Sequence, residues 1–564
     1  MNLFKSNFQI IIQLIFVTIF FSTSQAKIID KFDKGNYIST YFSGILHFND
    51  SNYEKSYKFL KSLEGLEETH YNYSSKYIYS LVNLGKYNEA INYSKKLEKK
   101  NLDNFDSNLI IGIYYFKNKK YQLAKKYFLK LQKTKSSFVL NNFLSKSLLN
   151  WSSLNELNFQ NAVSEIDKME PKFENLIDIQ KVFLNCFYKN EQTELVFKNL
   201  TSNKNTDFSR YNYFHSKYLL KVGKIKKAKE IVKLSLEQNP RNLLMNQFNF
   251  NLGTNNVRNN FDCQDQSHVI AEIFYLTANA LSSQLIYTYS NYYLNLAKYL
   301  NEDFYSFNTL LGENFYKMGN LNEAKKIYNT LGKHGVIFSW HAAKQNSIIL
   351  VQENKKDRAL KIFKNAYHKL PKKSIYHTFD YAEFLKNNEQ FENSIQYYSK
   401  VIQSINKDHP LYPEVTDGRG VAYERLGDWN KAEKDLLSSL EVSPNQAYVI
   451  NYLAYSWIEK GIKIEKSLEM LEKANNLKSN DPYIIDSLGW ALFKLERYKK
   501  SKNYLQLAVK LMPADPIVND HYGDVLWMNG NKIQARYYWK YVLGLKKAED
   551  NLKKKVKKKL ISGL

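Results

Sequence analysis

Apolar residues fall along most of this chain at helical spacing, and small residues punctuate them at a nearly fixed interval. Ser56, Ala90 and Ala124 stand 34 residues apart, as do Glu194 and Ala228, and Ser290 and Ala324. Ala359, Ser394, Ala432, Ser467, Ser501 and Ala535 continue the series in steps of 34 to 38. A second small residue lies twelve positions earlier: Gly112, Gly312, Gly420 and Gly523 precede Ala124, Ala324, Ala432 and Ala535. This period predicts pairs of helices joined by turns such as Leu84-Gly85-Lys86 and Leu426-Gly427-Asp428. The first small residue sits on helix A and the second on helix B, so the two backbones can approach closely. Tyr87, Tyr121, Phe391 and Trp429 fill the space beside them. Pro240, Pro371, Pro444 and Pro513 each follow a helix B small site by twelve residues, where a residue without an N–H ends the helix. One pair cannot bury its apolar face alone, so neighbouring pairs must share a core.

The copies are specific enough to name a pattern. Leu311-Gly312 is followed by Phe315, Ala324 and Tyr328; Gly420 by Tyr423 and Ala432; Leu488-Gly489 by Ala508 and Pro513; Gly523 by Ala535 and Trp539. In this the chain resembles the tetratricopeptide repeat (TPR) family, with its Leu-Gly, aromatic, Ala, aromatic or aliphatic, Ala and closing Pro. The resemblance implies an all-α fold, a right-handed superhelical solenoid of about thirteen helix pairs.

The pattern weakens in two places. Residues 141–195 match poorly and read as two degenerate repeats near Ala162 and Glu194. The stretch from Asn249 through Asn256, continuing from Val257 to Gln266, carries no helical pattern and reads as a loop. The expected organisation is therefore a first array over 27–250, a loop over 251–267, a second array over 268–545, and a basic capping helix or tail over 546–564. Ahead of these, Lys5, the apolar run from Phe8 to Phe21 and Ser22-Thr23-Ser24-Gln25-Ala26 fit a signal peptide, residues 1–26, cleaved before Lys27. An uncleaved anchor in the inner membrane is the alternative. No later segment approaches a membrane span, so the mature chain is expected outside the cytosol, in a bacterial periplasm, with peripheral envelope association left open.

Composition narrows the function. Hydrophobic residues make up 44% of the chain, enough for a folded core, while Gly and Pro number only 20 and 9, which argues against sandwiches, barrels and glycine-fingerprint enzymes. A net charge of +26 suits nucleic acid, an anionic membrane or an acidic partner. It equally suits a bias toward AT-rich codons, since the lysines are spread evenly until the run from Lys546 to Lys559. Export counts against nucleic acid. Two Cys rule out a disulfide scaffold and any multi-cysteine metal site. A bond between Cys186 and Cys263 is geometrically open, but a buried free Cys186 on an apolar helix is the expectation. No P-loop, GxSxG, HExxH or paired-Cys motif is present. His334 and His341 could share a helix face, but Gly335 and the strand-like Val336-Ile337-Phe338 argue against it. No metal, cofactor or catalytic residue is expected.

A binding face is expected instead. In TPR proteins helix A lines a concave groove that takes peptides. Three residues before the helix A small site stand Asp417, Asn451, Asp486 and Asp520, a ladder that could hold the amides of an extended peptide or could merely cap helices. Tyr455 and Trp490 follow the small site by one residue, and Trp527 lies four after Gly523; these are partner anchors or interhelical core. The stretches Asn451 to Trp457, Asp486 to Leu492 and Asn519 to Asp524 are similar to exported TPR proteins of proteobacteria. One group of these resembles the lipoprotein adaptor of a periplasmic carboxyl-terminal processing protease; this chain lacks the lipid-bearing Cys. The expectation is a noncatalytic scaffold or adaptor that binds an extended or helical segment of a partner protein and links a protease to its substrate. The alternatives are an assembly factor for an envelope or polysaccharide-export complex, and an enzyme of unrecognised type.

Overall fold

The computed structural model describes residues 35–133, 139–203 and 206–564. The proposed signal peptide at 1–26 lies outside them. Thirty α-helices and no strand occur among the described residues. Fourteen pairs account for most of the helices, and Leu243–Gly253 and Asp550–Ser562 stand apart from that pairing. The degenerate stretch does hold two pairs, Val139–Ser153 with Phe159–Asp167 and Glu174–Phe187 with Thr193–Thr201. Its packed position is Thr193 rather than Glu194. Thr193 is buried, whereas Glu194 faces outward and pairs with Lys224 and Lys227 at 2.7 and 2.5 Å.

The small sites act as the spacing requires. A methyl group placed on Gly112 would meet Phe128 at 2.4 Å, on Gly312 Tyr328 at 2.6 Å, on Gly420 Leu436 at 3.0 Å, on Gly489 Leu505 at 2.7 Å, and on Gly523 Trp539 at 2.5 Å. Each partner stands four residues after the helix B small site, one turn along the same helix face. Ala124, Ala324, Ala432, Ala508 and Ala535 are fully buried. At two of the Ser sites the hydroxyl reaches the facing carbonyl: Ser290 Oγ donates to Ala278 O and Ser501 Oγ to Gly489 O, both at 2.7 Å. Gly85 and Gly427 close their helices with φ of +71° and +82°, the left-handed conformation in which glycine lacks the Cβ penalty.

The chain divides into two compact units, 1–366 and 367–564. The division observed does not fall in the 251–267 loop. That stretch is shorter than the sequence suggests, because Leu243–Gly253 is helical and a new helix starts at Gln266. It is also tied into the first unit. Tyr213 Oη donates to Asn260 Oδ1 at 2.6 Å, Lys221 pairs with Asp262 at 2.6 Å, and Phe261 is buried. Cys263 is bonded to Cys186 with a Cα–Cα distance of 5.9 Å, so Cys186 is not the free thiol expected. The signal was missed because 77 residues and four helical segments separate the two.

The first unit also folds back on itself. Tyr87 Oη donates to Asn295 O at 2.9 Å, Lys76 Nζ to Tyr289 Oη at 3.0 Å, and Tyr79 packs on Tyr292 with centroids 4.5 Å apart. Arg210 makes a bidentate pair with buried Glu272 at 2.7 and 2.9 Å, its guanidinium 3.9 Å from the Tyr275 ring. A strictly linear stack would hold only neighbour contacts. No helix among the described residues is long and apolar enough to cross a membrane.

Candidate functional site in the second unit

In residues 367–564 the A helices are Ile375–Asn387, Tyr412–Arg425, Ala447–Glu459, Pro482–Lys494 and Pro516–Met528. Their starts follow local rules. Asp481 and Asp515 cap two of them by accepting from Tyr483 and Ile484 N, and from Ile517 and Val518 N, with Pro at the first helical position of each. The capping reading raised for Asp486 and Asp520 therefore belongs to residues five positions earlier.

The four ladder positions separate into two kinds. Asp486 and Asp520 are buried and internally partnered. Asp486 accepts from His521 Nδ1 at 3.0 Å, and Asp520 binds Lys559 Nζ at 2.8 Å. Lys559 also binds Asp524 at 2.7 Å, and it comes from the terminal helix Asp550–Ser562. The basic tail is thus a capping helix, fixed by one lysine between two carboxylates. Burial acts to lower the His521 pKa, but Asp486, Asp520 and Asp524 overcome it and hold it above the ordinary value. Burial and the Asp520 charge, only partly offset by Lys559, push Asp524 up to about 6. Trp490 belongs to the same cluster. It stacks on His521 at 3.9 Å and on Phe493 at 4.7 Å, and its Nε1 donates to Glu459 at 2.7 Å. Its ring is core, as one of the two sequence readings had it. Trp527 is half-buried against Trp539 at 5.4 Å, with Arg536 over its face.

Among the described residues, Asp417 and Asn451 make no side-chain hydrogen bond or close ion pair. Burial, with Glu383 and Glu414 nearby and Lys386 opposing, raises Asp417 to about 6. Asn451 Oδ1 is buried and accepts no hydrogen bond among the described residues. Between Tyr412–Arg425 and Ala447–Glu459 lies a cleft of about 250 Å³ lined by Glu424, Arg425, Tyr452, Tyr455, Ser456, Glu459 and Lys460. Tyr452, Tyr455, Ser456 and Glu459 occupy positions i, i+3, i+4 and i+7 and so share a helix face. Tyr452 Oη donates to Glu424 at 2.8 Å, which orients the carboxylate across the cleft. Of the seven expected binding residues, Tyr455 alone lines it. Glu424, Tyr452 and Glu459 were missed, although that i, i+3, i+7 face was readable. His334 and His341 do not converge: His334 stacks on Tyr305, His341 packs on Tyr328, and Val336–Gln352 is helical, not strand-like. The described residues contain no group of His, Cys, Asp and Glu able to hold a metal ion.

Paired helices with small residues at each crossing, stacked along the chain, define an α-solenoid scaffold. Residues 324–548 match the tetratricopeptide repeat family. Such repeats make protein–protein interaction scaffolds and are typically noncatalytic. Over 176 residues, 31% of this chain, it is 29% identical to a TPR repeat-containing protein of Pseudomonas aeruginosa; the match spans 29% of that relative's length. Among solved structures, MamA of Desulfovibrio magneticus RS-1 is 19% identical over 31% of this chain and 97% of that one, with a TM-score of 0.27. YrrB, described as a TPR protein with an unusual peptide-binding site, is 15% identical over 35% of this chain and 97% of its own, also with a TM-score of 0.27. Likenesses this low carry no argument about function.

Proposed function

We propose that the chain is an exported scaffold whose second unit grips a segment of a partner protein at the Tyr455 cleft. The observation that carries this is the arrangement at that cleft. An aromatic side chain and two carboxylates meet there on adjacent A helices. Glu424 and Glu459 can receive basic side chains, and Tyr455 offers an apolar anchor. Export is supported by the apolar N-terminal run with its small-residue site and by the Cys186–Cys263 bond, since structural disulfides persist in oxidising compartments. Linking a protease to its substrate is the adaptor form of this reading and rests on the resemblance to exported TPR adaptors.

The test is affinity capture from an envelope extract with the mature chain and with a Tyr455→Ala, Glu459→Lys double variant. Loss of a captured protein, with unchanged helicity and melting, supports the reading. Identical captured sets overturn it. Residues 1–26 fused to a reporter active only outside the cytosol test export separately; a silent reporter overturns that part.

A further inference from the structure

The first unit contains a much larger cleft, of about 1010 Å³, where its early helices meet Tyr287–Leu300, Phe307–Lys317 and Leu321–Gly332. It exists because the unit folds back on itself, and it is separate from the Tyr455 groove. Most of the charges on its wall are answered. Glu54 pairs with Lys58 at 3.2 Å, Glu302 with Lys117 at 2.5 Å, Glu323 with Lys326 at 2.6 Å, and Lys325 with Glu353. Lys298 is the exception. Among the described residues it has no carboxylate, hydrogen bond or ring partner, and burial alone pushes its pKa down. A half-buried ammonium without an anion is costly.

A second donor is unanswered in the same place. Asn295 Nδ2 donates to Asn83 Oδ1 at 3.0 Å, which turns the Asn83 Nδ2 away; that atom is buried and has no partner. Asn295 and Lys298 are one turn apart on one helix. The cleft therefore offers one charged donor, Lys298, and has in its wall a buried amide donor, Asn83 Nδ2, that a ligand reaches only when the Asn83 side chain turns; both call for oxygen acceptors. Leu84, Leu311, Phe315 and Ile327 add apolar wall between them. The volume lies at the upper end of the range for small-ligand pockets and has room for several residues of extended chain.

We propose that this cleft binds an extended acidic peptide segment, with an Asp or Glu side-chain carboxylate on Lys298 Nζ and, as the Asn83 amide turns toward the cleft, a peptide carbonyl on Asn83 Nδ2. An acidic saccharide shares the carboxylate but needs open aromatic faces. Here the Tyr87 and Tyr299 rings pack on each other at 4.5 Å, and Lys117 covers Tyr299 at 4.1 Å. A peptide uses the mixed amide and apolar wall as it stands. The net charge of +26 favours its approach.

The test uses the full mature chain at physiological salt and fluorescence polarisation of labelled, C-terminally amidated decapeptides of alternating Ala and Glu, or Ala and Gln. Unlabelled oligogalacturonate is the competitor. Expected is at least tenfold tighter binding of the Glu peptide, lost in Lys298→Met, retained in Lys298→Arg and weakened in Asn83→Ala. Tyr455→Ala leaves it unchanged, which separates this cleft from the groove of the second unit. Melting curves establish that each variant is folded, and Asn83→Ala carries the test if Lys298→Met is not. No binding, or a Glu preference unaltered in both the Lys298→Met and Asn83→Ala variants, overturns the proposal. Displacement by oligogalacturonate at equal or lower concentration overturns it in favour of a saccharide.

Discussion

Asp417 shows what an unpaired carboxylate costs inside a repeat. Its pKa is raised by burial to about 6, so the folded chain holds that proton more tightly than the unfolded chain, whose Asp titrates at the ordinary value. The stabilisation it lends is complete below about pH 4, declines as pH rises toward about 6, and is gone above. Asp417→Asn keeps the shape without the charge. At pH 7.5 the variant should exceed the parent in stability by up to about 3 kcal/mol, with the gap closing near pH 4. Denaturant melts of the two proteins across that range check it, and a parallel pH dependence in both would show that Asp417 does not titrate in this way. Lys559 illustrates the opposite case. One ammonium between Asp520 and Asp524 compensates charges that burial would otherwise make costly, and this lets the ladder position Asp520 face inward.

At the scale of the helix pair, the interval between small residues was legible because the constraint is steric and local. Gly112, Gly312, Gly420, Gly489 and Gly523 have no room for a side chain, so their spacing records the crossing geometry directly. Gly112→Ala would bring a methyl to 2.4 Å from the Phe128 ring. We expect a loss of about 1–3 kcal/mol in the first unit, measured by urea unfolding. The binding residues were less legible. Asp486 and Tyr455 occupy phases one helical turn apart in one repeat pattern, yet Asp486 is buried against His521 and Tyr455 lines a cleft. Which outcome applies depends on the neighbouring repeat and on the terminal helix, and a period within the sequence carries neither. The same limit hid the pairing of Cys186 with Cys263, since helical periodicity says nothing about contacts 77 residues apart.

At the scale of the molecule, the two units should respond differently to reduction. The Cys186–Cys263 bond lies wholly in the first unit and closes a loop of 77 residues. Cys263→Ser should lower the stability of that unit by about 2–4 kcal/mol and leave the second unit unchanged. Hydrogen exchange resolved by peptide distinguishes the two, and equal loss of protection in both would contradict independent units.

The fold-back of the first unit also sets an order of events during synthesis. Helices near residues 53–87 rest on partners near 289–320, more than two hundred positions downstream. A growing chain cannot complete its opening turns by adding neighbours one at a time, as a linear array can. Those early tyrosine-rich surfaces must wait, partly uncovered, until the ribosome has delivered the distant half of their interface. On the export proposed above, that delay would fall during or after translocation, and a holding chaperone bound to the amino-terminal repeats would bridge it.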